Sequence, residues 1–121
     1  MTLDDVIRHC LAKPGAEETY PFGDADLCCK VGGKIFAFIG LEGGGTVGVK
    51  SGATAEEAGL WRERYPDDIA VSAYIGRHGW NRVRLGGTVP ADELRELLDL
   101  SYDLIVAKLP KSKRPAISDQ P

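Results

Sequence analysis

Residues 73–80, AYIGRHGW, hold the densest group of side chains that could do chemistry. The stretch contains one of the chain's two histidines and one of its two tryptophans, with Arg77 and His78 between Gly76 and Gly79. Such side chains suit a catalytic loop, a nucleic-acid contact or the tip of a turn. Because glycines at both ends of a short segment are typical of a hairpin turn, the pattern predicts a turn with Arg77 and His78 at its tip.

The strand predicted after this turn, residues 80–85, separates its side chains onto two faces. Val83 and Leu85 are expected to point toward the helices, and Trp80, Arg82 and Arg84 toward the other face. That alternation predicts an indole and two guanidinium groups on the open face of the sheet.

Two further bases are expected on the same face. Lys30 and Lys50 alternate with apolar neighbours on their own strands. A basic sheet face with an aromatic ring is the arrangement that single-stranded nucleic-acid binders use, because phosphates contact cations and bases stack. Two structural interpretations compete with this one. The solvent side of a half-buried sheet is polar in any protein, and Trp80 could pack on the arginine stems.

A third group of bases follows the last predicted helix. Lys108, Lys111, Lys113 and Arg114 lie in a segment without acids. They either extend a phosphate-binding surface or satisfy the negative end of the helix dipole. The complete candidate set for nucleic-acid binding is Lys30, Lys34, Lys50, Arg77, His78, Trp80, Arg82, Arg84, Lys111, Lys113 and Arg114.

The sequence does not predict an enzyme. It contains no nucleophile elbow and no zincin motif, and Lys34 belongs to a hairpin rather than a phosphate loop. Glu17 and Glu18 are adjacent, so their side chains diverge and make a poor acid–base pair. His9 and His78 could be metal ligands only if the fold joined them with cysteines or carboxylates. We therefore predict no catalytic residue, no metal and no cofactor.

Composition narrows the remaining functions. The chain of 121 residues has a net charge of −3, which argues against a general nucleic-acid coat protein. Its three cysteines form no C-x-x-C pair, so they are expected to be small buried residues. No apolar run is long enough to cross a membrane, and the first residues do not resemble a secretion signal. These features predict a cytoplasmic protein, without a membrane partner and favouring a monomer.

Hydrophobic periodicity predicts a two-layer α+β domain. Helices are expected at 2–13, 54–65 and 90–109, and strands at 25–31, 34–41, 46–50, 69–75 and 80–85. The order α-βββ-α-ββ-α predicts a five-stranded antiparallel sheet with three helices on one face. Residues 16–24 are expected to form a loop. The domain is expected to span residues 1–115, with a disordered tail at 116–121.

Several motifs resemble the MmcQ/YjbR family. They are LAKPGAEETYPFG (11–23), KVGGKIFAFI (30–39), Tyr74 with Trp80-Asn81, and SYDLIVAKLPKSKRP (101–115). The resemblance implies a fold similar to type III secretion chaperones and to frataxin-like (CyaY-like) sheets. It also implies DNA binding, because two hairpins of the family have been likened to a double wing. Many members have histidine directly before the tryptophan, whereas Gly79 intervenes here.

The resulting expectation is a non-enzymatic protein that binds DNA through a basic open sheet face and hairpin wings. One alternative is a polypeptide-binding module that resembles a secretion chaperone. An exposed apolar patch on the open face would favour it. The other alternative is a small-molecule enzyme that uses the 76–80 loop. An enclosed pocket lined by two or more titratable groups would favour that one.

Overall fold

The computed structural model describes residues 1–73 and 75–115. The predicted tail at 116–121 lies outside the described residues. The helices are α1 (Leu3–Leu11), α2 (Ala55–Arg64) and α3 (Ala91–Ala107). The strands are β1 (Glu17–Thr19), β2 (Asp26–Val31), β3 (Lys34–Gly40), β4 (Thr46–Lys50), β5 (Ile69–Val71) and β6 (Trp80–Arg84). Short 3₁₀ turns occupy Gly76–His78 and Lys111–Lys113.

The sheet has six strands rather than the five expected. Their order is β1-β2-β3-β4-β6-β5, and every neighbouring pair is antiparallel. The additional strand, β1, lies in the segment expected to be a loop and pairs Glu17 with Lys30 and Thr19 with Cys28. It has only three residues, two of them exposed. Such a short edge strand carries no apolar alternation that periodicity could detect.

The helices cover one face of the sheet, as expected for a two-layer α+β domain. One row of side chains across the strands comprises Leu27, Ile39, Val47 and Val83, and all are buried. Helix α3 packs on β2, β3 and β4, and α2 packs on β5 and β6. Val6 and Cys10 of α1 complete the same core.

Each of the first two helices begins at a threonine, as the sequence indicates. The Thr2 hydroxyl accepts the Asp5 amide at 3.1 Å, and the Thr54 hydroxyl accepts the Glu57 amide at 3.2 Å. Such caps satisfy amides that have no partner inside the helix. None of the described helices is both long and apolar enough to cross a membrane.

The connection between β5 and β6 is longer than the predicted four-residue turn. Strand β5 ends at Val71, so the connection spans residues 72–79. Gly79 has the expected positive φ, +87°. A tight turn with glycine at both ends also implies a positive φ at Gly76, and that expectation is wrong, because its φ is not positive. A Cβ there would lie 2.2 Å from Cγ2 of the exposed Val71 side chain, so a larger residue requires that side chain to move.

Candidate nucleic-acid interface

Three basic segments meet at one end of the sheet: the β2–β3 turn, the 72–79 connection and the C-terminal segment after α3. The antiparallel register brings the β2–β3 turn, the end of β4 and the start of β6 to this end. At the turn, a Cβ on Gly32 would lie 2.6 Å from Leu109 and 3.0 Å from the Lys113 carbonyl, so the C-terminal segment packs there too. The 72–79 connection is held at the same end, because the Lys50 amine donates to the His78 carbonyl.

We call this surface the basic end. Its members are Lys30, Lys34, Arg77, Lys108, Lys111, Lys113 and Arg114, and all but the half-buried Lys30 are exposed. Acids border it as well: Glu17 stands opposite Lys30, and Glu56 and Glu57 begin α2. The basic end therefore carries a local excess of positive charge.

The opposite end of the domain is acidic. Helix α1 begins there, because Leu3 packs on the β3–β4 turn. A Cβ at Gly45 of that turn would lie 3.0 Å from Cδ1 of Leu3. The first turn of α1 carries Asp4 and Asp5, and the first turn of α3 carries Asp92 and Glu93. The charges are thus separated along the strand direction. The net charge of −3 does not describe the surface that a polyanion would meet.

Lys50 supports the basic end from inside. Its side chain lies on the open face, as expected, but only 3% of the residue is exposed. Burial, with a contribution from the nearby charge of Lys108, lowers the pKa of the Lys50 amine. Because that amine donates to the His78 carbonyl, it holds the connection that carries Arg77 rather than facing solvent.

Trp80 also lies on the open face but presents little surface there. The residue is 8% exposed, and its ring meets Phe38 edge-on at a centroid distance of 5.4 Å. The cation–π contacts among the described residues are Arg64 with Trp61 and Tyr65, and Lys13 with Tyr102. Trp80 therefore packs on an aromatic ring, and not on the arginine stems that the sequence suggested.

Arg82 and Arg84 have different surroundings although they share a face. Arg84 lies toward the acidic end, where its Nε donates to Oδ1 of buried Asp68 at 2.9 Å. Hydrogen bonds from Thr88 and, to a smaller extent, from Arg84 lower the pKa of Asp68 to about 2. Arg82 is exposed and makes no ion pair with any residue in 1–73 or 75–115.

The C-terminal bases divide in the same way. The Arg114 guanidinium donates to the carbonyls of Leu109 and Ala107 at 2.9 and 3.0 Å, so it satisfies the end of α3. This is the structural alternative to phosphate binding that the sequence offered for the C-terminal bases. Lys111 and Lys113 lie in the exposed 3₁₀ turn, with their side chains available to solvent.

Sequence reasoning missed a groove in the centre of the open face. It has a volume of about 270 Å³, and its lining residues are Asp26, Phe38, Gly40, Thr46, Gly48, Ser72, Ala73, Ile75 and Arg82. A glycine within a predicted central strand was the available signal, because a missing side chain leaves a depression. Within the described residues, no three His, Cys, Asp or Glu side chains converge as a metal site requires.

The motifs and the fold agree with one family. Residues 11–104 match the family model described as YjbR. The chain belongs to the YjbR family. It is 31% identical over 115 residues to YjbR of Escherichia coli K12, covering 94% of this chain and 95% of that protein. The YjbR protein of the O157:H7 strain matches to the same extent.

Solved structures support the same YjbR assignment. A Deinococcus radiodurans protein of the domain family DUF419 has a TM-score of 0.82 and 32% identity, covering 93% of this chain and 84% of that one. A Pseudomonas syringae protein has a TM-score of 0.69 at 18% identity, with coverages of 86% and 98%, and supports the fold alone. These likenesses establish the family and the fold. They do not assign a catalysed reaction or a bound partner to this chain.

Proposed function

We propose that this YjbR-family protein binds nucleic acid through its basic end, without catalysing a reaction. The observation that carries the proposal is the meeting of both turns and the C-terminal segment at one end of the sheet. Exposed lysines and arginines on such a surface neutralise phosphates and release counterions. The proposal retains the cytoplasmic location and the monomeric state expected from the sequence.

The proposed contact residues lie on turns at the end of the sheet rather than on the open face that the sequence indicated. Lys34 and Arg77 stand on the two turns that correspond to wings, and Lys111 and Lys113 stand on the C-terminal segment that packs at the β2–β3 turn. The buried Lys50 and Trp80 support these segments from within, and Arg114 is held by the carbonyls at the end of α3. Phosphate contacts of this kind position a duplex or a strand but do not read its sequence. We therefore expect binding with little base preference.

The polypeptide-binding alternative receives less support. The exposed large apolar side chains of the described residues are Tyr20, Phe22, Leu60 and Val71. Tyr20 and Phe22 follow edge strand β1, Val71 belongs to the opposite edge strand, and Leu60 is on α2. Phe22 stacks on Phe38 of the open face at a ring-centroid distance of 6.3 Å, whereas Leu60 and Val71 lie on other elements. The exposed apolar surface on the open face is thus one aromatic pair, which is less than a chaperone-like docking surface needs.

The enzyme alternative receives less support as well. The open-face groove has two titratable lining groups, Asp26 and Arg82, but it is open to solvent and His78 is not among its lining residues. His78 is exposed at the tip of its turn, where its Nε2 is 3.2 Å from Nε of Arg77. Within residues 1–73 and 75–115 no carboxylate bonds to it and orients it as a general base.

The test is a titration of labelled single-stranded DNA, duplex DNA and RNA by fluorescence anisotropy at two salt concentrations. Two double variants probe the surface: Lys34→Gln with Arg77→Gln, and Lys111→Gln with Lys113→Gln. Each should weaken binding and reduce the log–log salt slope by about 0.9 per lost duplex contact.

A charge-matched control is Arg8→Gln with Arg95→Gln, since both arginines are exposed on helices away from the basic end. This control should bind like the wild type. If the wild type shows no salt-sensitive binding at micromolar concentration, or if the control weakens binding as much as the test variants do, the proposal is wrong.

A further inference from the structure

The open-face groove exists because of one glycine. Gly48 lies in the middle of β4, with Phe38 opposite on β3 and Arg82 opposite on β6. Its φ is not positive, so its backbone does not require glycine. A Cβ would meet Cβ of Phe38 at 3.4 Å, which is ordinary contact. A small side chain would therefore fit at this position, and the glycine leaves this part of the groove floor without one.

Gly40 provides the contrast. It also lines the groove, but a Cβ there would lie 2.7 Å from the Thr46 hydroxyl oxygen, so close packing explains it. Of these two strand glycines, only Gly48 has room for a small side chain. A bare floor beside an aromatic ring leaves space into which a planar group fits.

The walls of the groove are mixed in character. Phe38 and Ile75 supply apolar surface, and Ser72 and Thr46 supply hydroxyl groups. The volume of about 270 Å³ lies just below the range of roughly 300–1,000 Å³ typical of small-molecule sites. It suits a planar ring system whose substituent extends along the open groove.

Arg82 gives the groove its charge preference. Arg84, two residues further along β6, is paired with Asp68, whereas Arg82 lines the groove without an ion pair among the described residues. A planar guanidinium binds carboxylate or phosphate oxygens with two parallel hydrogen bonds. Asp26 also lines the groove, and its carboxylate offers hydrogen-bond acceptors and repels additional negative charge.

We infer that the groove binds a small molecule made of a planar ring and one anionic group. The ring rests on the Gly48 floor against Phe38, and the anionic group pairs with Arg82. Two strand spacings separate Phe38 from Arg82, about 10 Å between backbones, and the arginine side chain spans much of that distance. A nucleoside monophosphate and an aromatic carboxylate both have this chemistry. The Asp26 carboxylate disfavours di- and triphosphates.

This site is independent of the proposed nucleic-acid binding. Neither Lys34, Arg77, Lys111 nor Lys113 lines the groove. The double variants of the basic end should therefore retain the small molecule, so failure of one proposal leaves the other standing.

Calorimetric titration with four probes tests the inference. Adenosine monophosphate and indole-3-carboxylate carry both the ring and the anion, whereas adenosine and inorganic phosphate each carry one of them. We expect at least one of the first pair to bind about 10-fold more tightly than adenosine or phosphate, since a charged hydrogen bond is worth roughly that factor. Which of the pair binds identifies the source of the ligand. If neither does, or if the single-feature probes bind equally well, the inference is wrong.

Variants locate the binding. Gly48→Val fills the floor and should abolish binding, and Arg82→Gln should weaken it about 10-fold. Arg95→Gln, on the exposed side of α3, should leave it unchanged. Far-UV circular dichroism checks that Gly48→Val is folded, and Gly48→Ala replaces it if it is not. Binding that survives both Arg82→Gln and a folded Gly48 variant overturns the inference.

Trp80 supplies a local signal. Its ring lies 5.4 Å from that of Phe38, so a ring bound on the groove floor should change its fluorescence. In the Trp61→Phe variant, Trp80 is the one remaining tryptophan of the chain's two. A saturable change at the calorimetric affinity supports the location, and calorimetric binding without any change in emission argues against it.

Discussion

The carboxylate of Asp68 joins strand β6 to the segment before α3. Its Oδ1 accepts from Nε of Arg84 at 2.9 Å, and its Oδ2 accepts from the Thr88 amide at 2.7 Å and from the Thr88 hydroxyl. The residue is 4% exposed. The network fixes the acidic end of the domain and keeps Arg84 away from any partner of the open face.

Asp68 should make stability depend on pH. Hydrogen bonds from Thr88, assisted by Arg84, lower the pKa of Asp68 from 3.8 to about 2. Because the pKa is lower in the folded chain, the contribution is complete above the unfolded value and is lost as pH falls toward 2. Asp68→Asn should lower the free energy of unfolding at pH 7, and the difference from the wild type should shrink between about pH 4 and pH 2.

Urea denaturation at several pH values measures that difference. Asp67→Asn is the matched control, because Asp67 is the adjacent and exposed aspartate. It should stay within about 0.5 kcal/mol of the wild type. An Asp68→Asn difference that is constant from pH 7 to pH 2 would contradict the prediction.

Ser101 joins α3 to the sheet where strand pairing is interrupted. A register shift between Cys29 and Lys30 leaves Phe36 without a partner on β2, and the Phe36 carbonyl accepts the Ser101 hydroxyl at 2.6 Å. The same hydroxyl oxygen accepts the Lys50 amide at 2.9 Å. Ser101→Ala leaves two backbone groups without this partner, so we expect a loss of about 1–3 kcal/mol in unfolding free energy.

Chemical denaturation tests the role of Ser101 against Ser112→Ala. Ser112 lies in the exposed C-terminal turn, so its replacement should change stability by less than about 0.5 kcal/mol. Equal stability of the two variants would show that water or another group replaces the Ser101 hydroxyl.

Local signals in the sequence predicted most of the fold. Thr2 and Thr54 indicated helix starts, and alternation in β2 and in β6 indicated which side chains face the helices. Edge strand β1 was not predicted because its three residues show no alternation of apolar and polar side chains. The end of β5 was misplaced because IAVSAYI is apolar apart from Ser72, while the chain leaves the sheet after Val71. Periodicity indicates faces but not the point at which pairing stops.

The site was harder to predict because it depends on contacts that are distant in the sequence. Alternation placed Lys50 and Trp80 on the open face, but only the packing of the 72–79 connection and of Phe38 decides that both are buried. Arg84 is neutralised by Asp68, 16 residues earlier. Residues of three separate segments form the basic end, and only the strand register brings those segments together.

The three cysteines should be unreactive in the native protein. Cys10, Cys28 and Cys29 are fully buried and form no disulfide. A hydrogen bond with Cys29, together with burial, raises the pKa of the Cys10 thiol, which disfavours the reactive thiolate. A chromogenic disulfide reagent at pH 8 should label none of them rapidly, and should label all three in denaturant. An exposed Ser112→Cys variant serves as the positive control, and rapid native labelling of the wild type would contradict the prediction.

Comparing Gly79 with Gly33 distinguishes the cost of a left-handed backbone from the cost of a steric overlap. Gly79 and Gly33 have nearly the same φ, +87° and +85°. A Cβ at Gly79 would lie 2.4 Å from the Gly52 carbonyl oxygen, whereas a Cβ at Gly33 would meet nothing within 4 Å. Both alanine variants cost about 1–2 kcal/mol for the left-handed backbone. Gly79→Ala should cost a further 1–3 kcal/mol or so, because the chain must move to relieve the overlap.

The urea midpoints of the two alanine variants measure this difference directly. Gly79→Ala should also loosen the 72–79 connection, because the Gly79 carbonyl accepts the Ser51 amide at 2.7 Å beside the overlap. Amide hydrogen exchange at Ser51 should therefore become faster in Gly79→Ala and stay unchanged in Gly33→Ala. Equal midpoints and equal exchange in both variants would mean that φ alone requires glycine at position 79, and that the contact with Gly52 relaxes without cost.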